Sequence, residues 1–280
     1  MGLRATLVVA LAMTIAGGPN AKAGPWEDCT NLREDEASFK GCDKVIRTGG
    51  RSDLDMATAY YNRGNGYQDR DEPEKAIADY DRALSLLPRN MKDTPAKLAD
   101  IHHNRGRCYD TVGKEDEALA DHTQALTFNP RHVFALNSRG MILRDREDQE
   151  GAIADFDKAI RLDPTFASAY YNRGETHLAA NRAEQAVADF TKALSLGEHV
   201  DYYASRSAAY SQLKKPKEAL RDAERAVKLD PDNPLSYFVR GLAYEDLGEK
   251  AKAVADIRRV LKLAPDHESA KEALERLGEK

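Results

Sequence analysis

Little in this sequence would build a reactive centre. Three cysteines, Cys29, Cys42 and Cys108, are spread over 280 residues, with no Cys-x-x-Cys pair among them. There is no His-Glu-x-x-His, no glycine-rich phosphate loop and no nucleophile elbow. No residue is singled out as catalytic, and the reading is of a protein that is not an enzyme, with no metal and no cofactor. An excess of positive charge is also missing: 42 Lys and Arg face 47 Asp and Glu, a net charge of −5. Nucleic acid and anionic lipid are bound by neutralising phosphate with Lys and Arg, so neither is an expected partner. Low-complexity tracts are absent, and 41% apolar with 32% charged residues is the composition of a folded protein.

Long apolar runs are wanting too. The one at residues 5–16 has 12 members, against the roughly 20 that span a bilayer as a helix. It follows Arg4, is broken by Gly17, Gly18 and Pro19, and leads to the small-x-small triplet Ala21-Lys22-Ala23. That is the layout of a secretory signal peptide, with cleavage expected after Ala23 and a periplasmic or secreted destination. Cleavage removes Arg4 and Lys22 and leaves 40 basic and 47 acidic residues, net −7, with no membrane span expected in the mature chain. Export places the cysteines where disulfides persist. Three is an odd number, so at least one thiol stays free or pairs between chains.

What the sequence has is repetition. Six times an Arg precedes a small residue: Arg63-Gly64, Arg105-Gly106, Arg139-Gly140, Arg173-Gly174, Arg206-Ser207 and Arg240-Gly241. The small residues are spaced by 42, 34, 34, 33 and 34 positions. An alanine follows each by twelve (Ala76, Ala118, Ala152, Ala186, Ala219, Ala253), and a proline follows five of them by 24. Each unit reads as two amphipathic helices. In the first unit Tyr60, Gly64 and Tyr67 recur at helical spacing, and a polar turn follows at Arg70-Asp71-Glu72. Pro73 suits the first turn of the next helix, whose stripe is Ala76, Ile77, Tyr80, Ala83 and Leu84 before Pro88 stops it. The small residues let the two helices approach closely.

The ends read as caps. Residues 268–277 carry Ala270, Ala273, Leu274 and Leu277 on one side, and residues 38–46 align with the second helix of a repeat. In that alignment Cys29 falls where Tyr67 sits in the first full unit and Cys42 where Tyr80 sits. These places lie on facing sides of one helix pair, so a Cys29–Cys42 disulfide is expected. Eight extra residues precede the second unit, and Thr94-Pro95 among them, as cap and first-turn pair, predict a lengthened first helix. Cys108, at a place where other units carry mostly small residues, is expected to be buried and inert.

The pattern resembles the tetratricopeptide repeat family over residues 57–267. The resemblance implies an all-α fold, a right-handed superhelical solenoid of antiparallel helix hairpins. About six units would follow an N-terminal partial unit and end on a capping helix. The chain then divides into a signal peptide at 1–23, a partial repeat at 24–56 and the solenoid at 57–280. Departures fall at His102, where other units carry Tyr or Leu, and at His122, Ala223 and Ile257, where an aromatic is expected. The second and fifth units are expected to pack less tightly.

Within that family the residue two before each small one lines a concave groove, and glycan-transferase members hold extended peptide there with a ladder of asparagines. Here those positions are Asn62, Asn104, Ser138, Asn172, Ser205 and Val239, with Tyr61, His103, Arg107, Asn137, Met141, Tyr171, Glu175 and Phe238 beside them. The resemblance therefore implies a scaffold for a protein or peptide partner, held mainly by the first four units. A clamp on a C-terminal carboxylate needs Lys and Arg on this face, and only Arg107 appears. Two alternatives stay open. One is a self-assembling structural protein of the cell envelope, a homo-oligomer. The other is a metal or small-ligand binder through His102 and His122, which the antiparallel register sets opposite each other. Two ligands without a third make no metal site, and charging two buried rings would make the second unit acid-sensitive. Finally, an Asp follows each small residue by fifteen. The pairs Arg63 and Asp79, Arg105 and Asp121, Arg139 and Asp155, Arg173 and Asp189, Arg206 and Asp222, Arg240 and Asp256 are expected to be structural ion pairs, within or between units, and not a basic stripe.

Overall fold

A computed structural model describes residues 24–31, 36–87 and 94–279. The segment read as a signal peptide lies outside them. The described residues form helices and no strands, and the chain divides into two compact units, Met1–Leu87 and Pro88–Lys280.

The first unit holds α1 (Pro25–Thr30), α2 (Glu36–Thr48), α3 (Asp53–Gln68) and α4 (Pro73–Leu86). Pro25 and Pro73 open their helices, where a missing N–H costs nothing. Ser52 caps α3 by accepting from the Asp55 amide at 3.1 Å. Cys29, Cys42, Val45 and Ala59 form a small core under Trp26, Ile46 and Met56. The two sulfur atoms are at bonding distance, 2.16 Å, the pairing expected from the alignment. The partial repeat and the first full repeat thus share one compact unit, with α2 packed on α3.

The second unit is five hairpins and a closing helix: α5 (Thr94–Thr111) with α6 (Glu115–Phe128), α7 (Val133–Asp145) with α8 (Gln149–Leu162), α9 (Ala167–Ala179) with α10 (Ala183–Leu196), α11 (Val200–Gln212) with α12 (Pro216–Leu229), α13 (Pro234–Asp246) with α14 (Lys250–Leu263), then α15 (Glu268–Arg276). α5 begins at Thr94 and has 18 residues where α7, α9, α11 and α13 have 13, the expected lengthening. α15 buries Ala270, Ala273 and Leu274 against Val254, Ile257 and Val260.

The small residue in each hairpin is opposed by the bulky one sixteen later. A Cβ on Gly140 would stand 2.7 Å from the Phe156 ring, and one on Gly174 would stand 2.6 Å from Phe190. The helices meet at these rings, closer than any side chain on the first helix allows. Where the first helix carries Ser207, the opposed residue has shrunk to Ala223, and the hydroxyl donates to the Ala219 carbonyl at 2.9 Å. Successive first helices, α7 with α9, α9 with α11 and α11 with α13, also touch one another directly. They make one face of the unit.

Candidate partner-binding face

All six Arg–Asp pairs form, each within its own repeat. Each guanidinium donates twice to one carboxylate: Arg139 Nε to Asp155 Oδ2 at 2.7 Å and Nη2 to Oδ1 at 2.8 Å, and the pairs at Arg63, Arg105, Arg173, Arg206 and Arg240 repeat it. Three arginines also reach the preceding hairpin: Arg63 to Asp43 at 3.1 Å, Arg173 to Asp157 at 2.5 Å and Arg206 to the Thr191 hydroxyl at 3.0 Å. The six aspartates are buried. Arg173 is held above the ordinary guanidinium value by its hydrogen bonds to Asp189, against the opposing effect of burial. These charges are satisfied inside the fold.

The histidines are arranged differently from the expected register. His102 does not face His122. Its Nδ1 lies 2.8 Å from Asp121 Oδ1, and its ring stacks on Phe128 at 5.7 Å. The residue facing His122 is His103, with 3.4 Å between the Nδ1 atoms, and His132 closes the group with its centroid 4.9 Å from His103. The antiparallel register gave the height along α5 correctly but not the face. One residue turns a side chain by about 100° around a helix, which carries His102 to the ion pair and His103 to the ring. His103 is buried, and desolvation, with His122, His132 and Arg107 nearby, lowers it to about 2. It is therefore a core residue and does not stand open on the groove. Among the described residues no group of three or more His, Cys, Asp and Glu is placed to hold a metal.

The asparagines are partly engaged already. Asn62, in the first unit, donates through Nδ2 to the Cys29 carbonyl at 2.8 Å. Asn172 donates to Asn137 Oδ1 at 2.9 Å, tying α9 to α7, and Asn137 donates in turn to the Met141 sulfur at 3.6 Å. Asn104 and Tyr61 are half-buried, and Arg107 is exposed. Of the remaining groove residues, Met141 is exposed, and Phe238 meets the His267 ring at a tilt with centroids 4.8 Å apart. Tyr171 and Glu175 belong to one polar cluster. Burial, with Glu175 next, pushes the Tyr171 hydroxyl up to about 12. Burial also raises Glu175, while the Ser205 hydroxyl and Arg144 oppose it and Asp201 adds to it. Glu175 Oε1 is enclosed and accepts no hydrogen bond.

Sequence reasoning passed over Phe134, Arg144, Asp201 and Leu235. Extending the groove stripe by one helical turn in each direction finds all four, because positions three and four apart share a face. Phe134 is 59% exposed, the most open large apolar residue described. At the other end of α7, Met141 and Ser138 border a cavity of about 330 Å³ that Asp110, Glu115 and Asp145 also line. No described helix is long and apolar enough to cross a membrane.

The comparisons with known proteins agree with this architecture. Sequence profiles described as tetratricopeptide repeat match residues 55–131, 167–197 and 206–278, and one described as TPR repeat matches 140–181. No curated protein matches the chain. Among solved structures, MamA is 24% identical over 62% of this chain and 95% of its own, with a TM-score of 0.52. A tetratricopeptide repeat protein from Parabacteroides merdae is 21% identical over 86% of this chain and 91% of its own, at 0.63. YrrB, described as a TPR protein with an unusual peptide-binding site, is 19% identical over 70% and 97%, at 0.54. Such likenesses speak to fold, and the profile matches speak to ancestry: the chain belongs to the tetratricopeptide repeat family.

Proposed function

We propose that this protein is an exported scaffold that holds an extended segment of a protein partner against the first-helix face of its second unit. The observation that carries the reading is the unbroken run of adjoining first helices, α7 to α13, which sets the exposed Phe134, Met141 and Leu235 and the half-buried Tyr171 on one face, over the buried Asn137–Asn172 amide pair. Exposed apolar groups along such a face suit the apolar side chains of an extended segment. The peptide-binding site attributed to YrrB supports the same use of a similar fold. Asn62 lies in the other unit, where its amide donates to the Cys29 carbonyl.

Export is the second half of the proposal. It rests on residues 5–23 and on the Cys29–Cys42 bond, which suits an oxidising compartment. Intact-mass measurement of the protein from a cell envelope fraction tests it, and a mass retaining residues 1–23 counts against it. Binding is tested by crosslinking pull-down with the parent and Met141→Glu, an exposed change that leaves the hairpin core alone. Loss of the captured partner is expected. Equal capture by a folded Met141→Glu moves the interface off this face, and a single sharp dimer in light scattering turns the reading to self-association.

A further inference from the structure

On the face formed by α7, α9 and α11 one patch differs from the rest. Tyr171 and Tyr202 touch with centroids 5.0 Å apart, and His199 extends the aromatic surface at 5.1 Å from Tyr202. Next to them the Glu175 carboxylate takes a hydrogen bond from the Ser205 hydroxyl while its Oε1 accepts nothing, and Asp201 on the neighbouring helix, 3.5 Å from His199 Nδ1, adds a second carboxylate. The nearby cation on α7, Arg144, acts on Glu175 through space, while its Nε and Nη2 both reach Asp145 at 3.0 Å. The patch is thus an aromatic wall ending at an under-satisfied carboxylate.

We propose that this patch is the subsite for a basic side chain, Lys or Arg, of the bound segment. The proposal rests on the groove reading above and gives it a chemical preference. The methylene stem of such a side chain packs on the tyrosine rings, which also attract a cation at their faces. The head then donates to Glu175, with Asp201 supporting it. A carboxylate short of donors in a partly desolvated place costs free energy until a charged donor reaches it, and burial has raised Glu175 in keeping with that. Glu175 Oε1 is enclosed, so the head reaches it through a change of the Glu175 rotamer at χ1 or χ2, whose staggered wells offer an outward setting. An acidic side chain would meet two carboxylates here, and an apolar one would cover Glu175 without satisfying it. The net charge of −5 on the chain also draws a basic segment in preference to an acidic one.

The test uses the whole chain, immobilised, and four pools of short extended peptides. The pools are randomised except for one central residue, fixed as Arg, Lys, norleucine or Glu. Retained peptides are counted by mass spectrometry. The Arg and Lys pools are expected to be retained about tenfold better than the norleucine pool. Glu175→Gln should bring that preference down to about twofold or less while the norleucine pool is held as before. Tyr202→Ala, which removes the wall and keeps the carboxylate, should weaken the basic pools by a few fold. Equal retention of all four pools, or a preference unmoved in both variants, overturns the subsite and leaves the groove standing. Retention of no pool overturns the groove and the subsite together.

Discussion

Cys108 and His103 lie on the same helix, and burial acts on both with opposite consequences for charge. Cys108 is 1% exposed, and desolvation pushes its thiol up to about 11. The thiolate is the nucleophile, so the native protein at neutral pH should resist a thiol reagent that labels the urea-unfolded chain at once. Rapid labelling of native Cys108 would contradict this. At His103 burial keeps the ring neutral. Its folded value is depressed to about 2, below the unfolded value of about 6.5. The unfolded chain therefore binds the proton first. Stability is fully present above about pH 6.5 and is lost as pH falls below it, by about 2 kcal/mol between about pH 7 and pH 5 for this one group. His103→Tyr places there the residue that the first and fourth repeats carry, Tyr61 and Tyr171. Urea unfolding at the two pH values should show the acid loss reduced by that amount. An unchanged loss assigns it to other groups. Burial at Cys108 was legible from the small residues at its place in other repeats, whereas the identity of the buried histidine was not, because repeat alignment fixes level and leaves the angle around the helix free.

At the scale of the helix pair, the turn between the two helices obeys a rule that composition hides. Seven residues after each small residue the backbone is left-handed: Asp71, Gly113, Glu147, Asn181, Lys214 and Gly248 all have φ between 56° and 75°. Only two of the six are glycine, so the sequence shows a polar turn but not its conformation. The antiparallel closure of the hairpin imposes it. Lys214 bears the steric cost of a Cβ there, so Lys214→Gly should stabilise by about 0.5–1 kcal/mol after the entropy of glycine is deducted. A chemical denaturation midpoint that stays or falls would refute the assignment. The Arg–Asp bridge belongs to the same scale, and its spacing was readable because it recurs in all six units. Which carboxylate each Arg meets needed the fold, since Arg173 takes Asp189 within its hairpin and Asp157 from the one before. Arg173→Ala leaves the 5% exposed carboxylate of Asp189 with only the His177 ring, 3.9 Å away, beside it and should cost about 1–3 kcal/mol. Arg173→Lys should restore only part, lacking the planar fork. A loss under about 0.5 kcal/mol for the alanine variant would class Arg173 with ordinary surface residues.

For the whole molecule, the repeat period made the helices and their pairing legible, while the groove was legible only as a stripe. Asn62 and Asn172 match the family's positions, yet one amide is engaged by Cys29 and the other by Asn137. Such pairings depend on which helix end comes near, which no single-repeat pattern contains. The same contacts show what holds the first unit. α1 has six residues, far below the length at which a helix persists alone. It is fixed by the Cys29–Cys42 bond, by the Asn62 amide on the Cys29 carbonyl, and by Gly41, where a Cβ would stand 2.7 Å from the Cys29 nitrogen. Two of these three need α1 already in place, whereas the disulfide keeps it near in the unfolded chain. Closing a loop of this length is worth about 3 kcal/mol in the chain-entropy account. Reduction, or Cys29→Ala with Cys42→Ala, should therefore quicken amide hydrogen exchange in α1 and α2 by about a hundredfold. The Trp26 fluorescence should shift as the ring leaves the core it shares with Val45 and Met56. Exchange and fluorescence that do not change on reduction would mean that packing alone holds α1, and two free thiols in protein recovered from an envelope fraction would remove the bond itself.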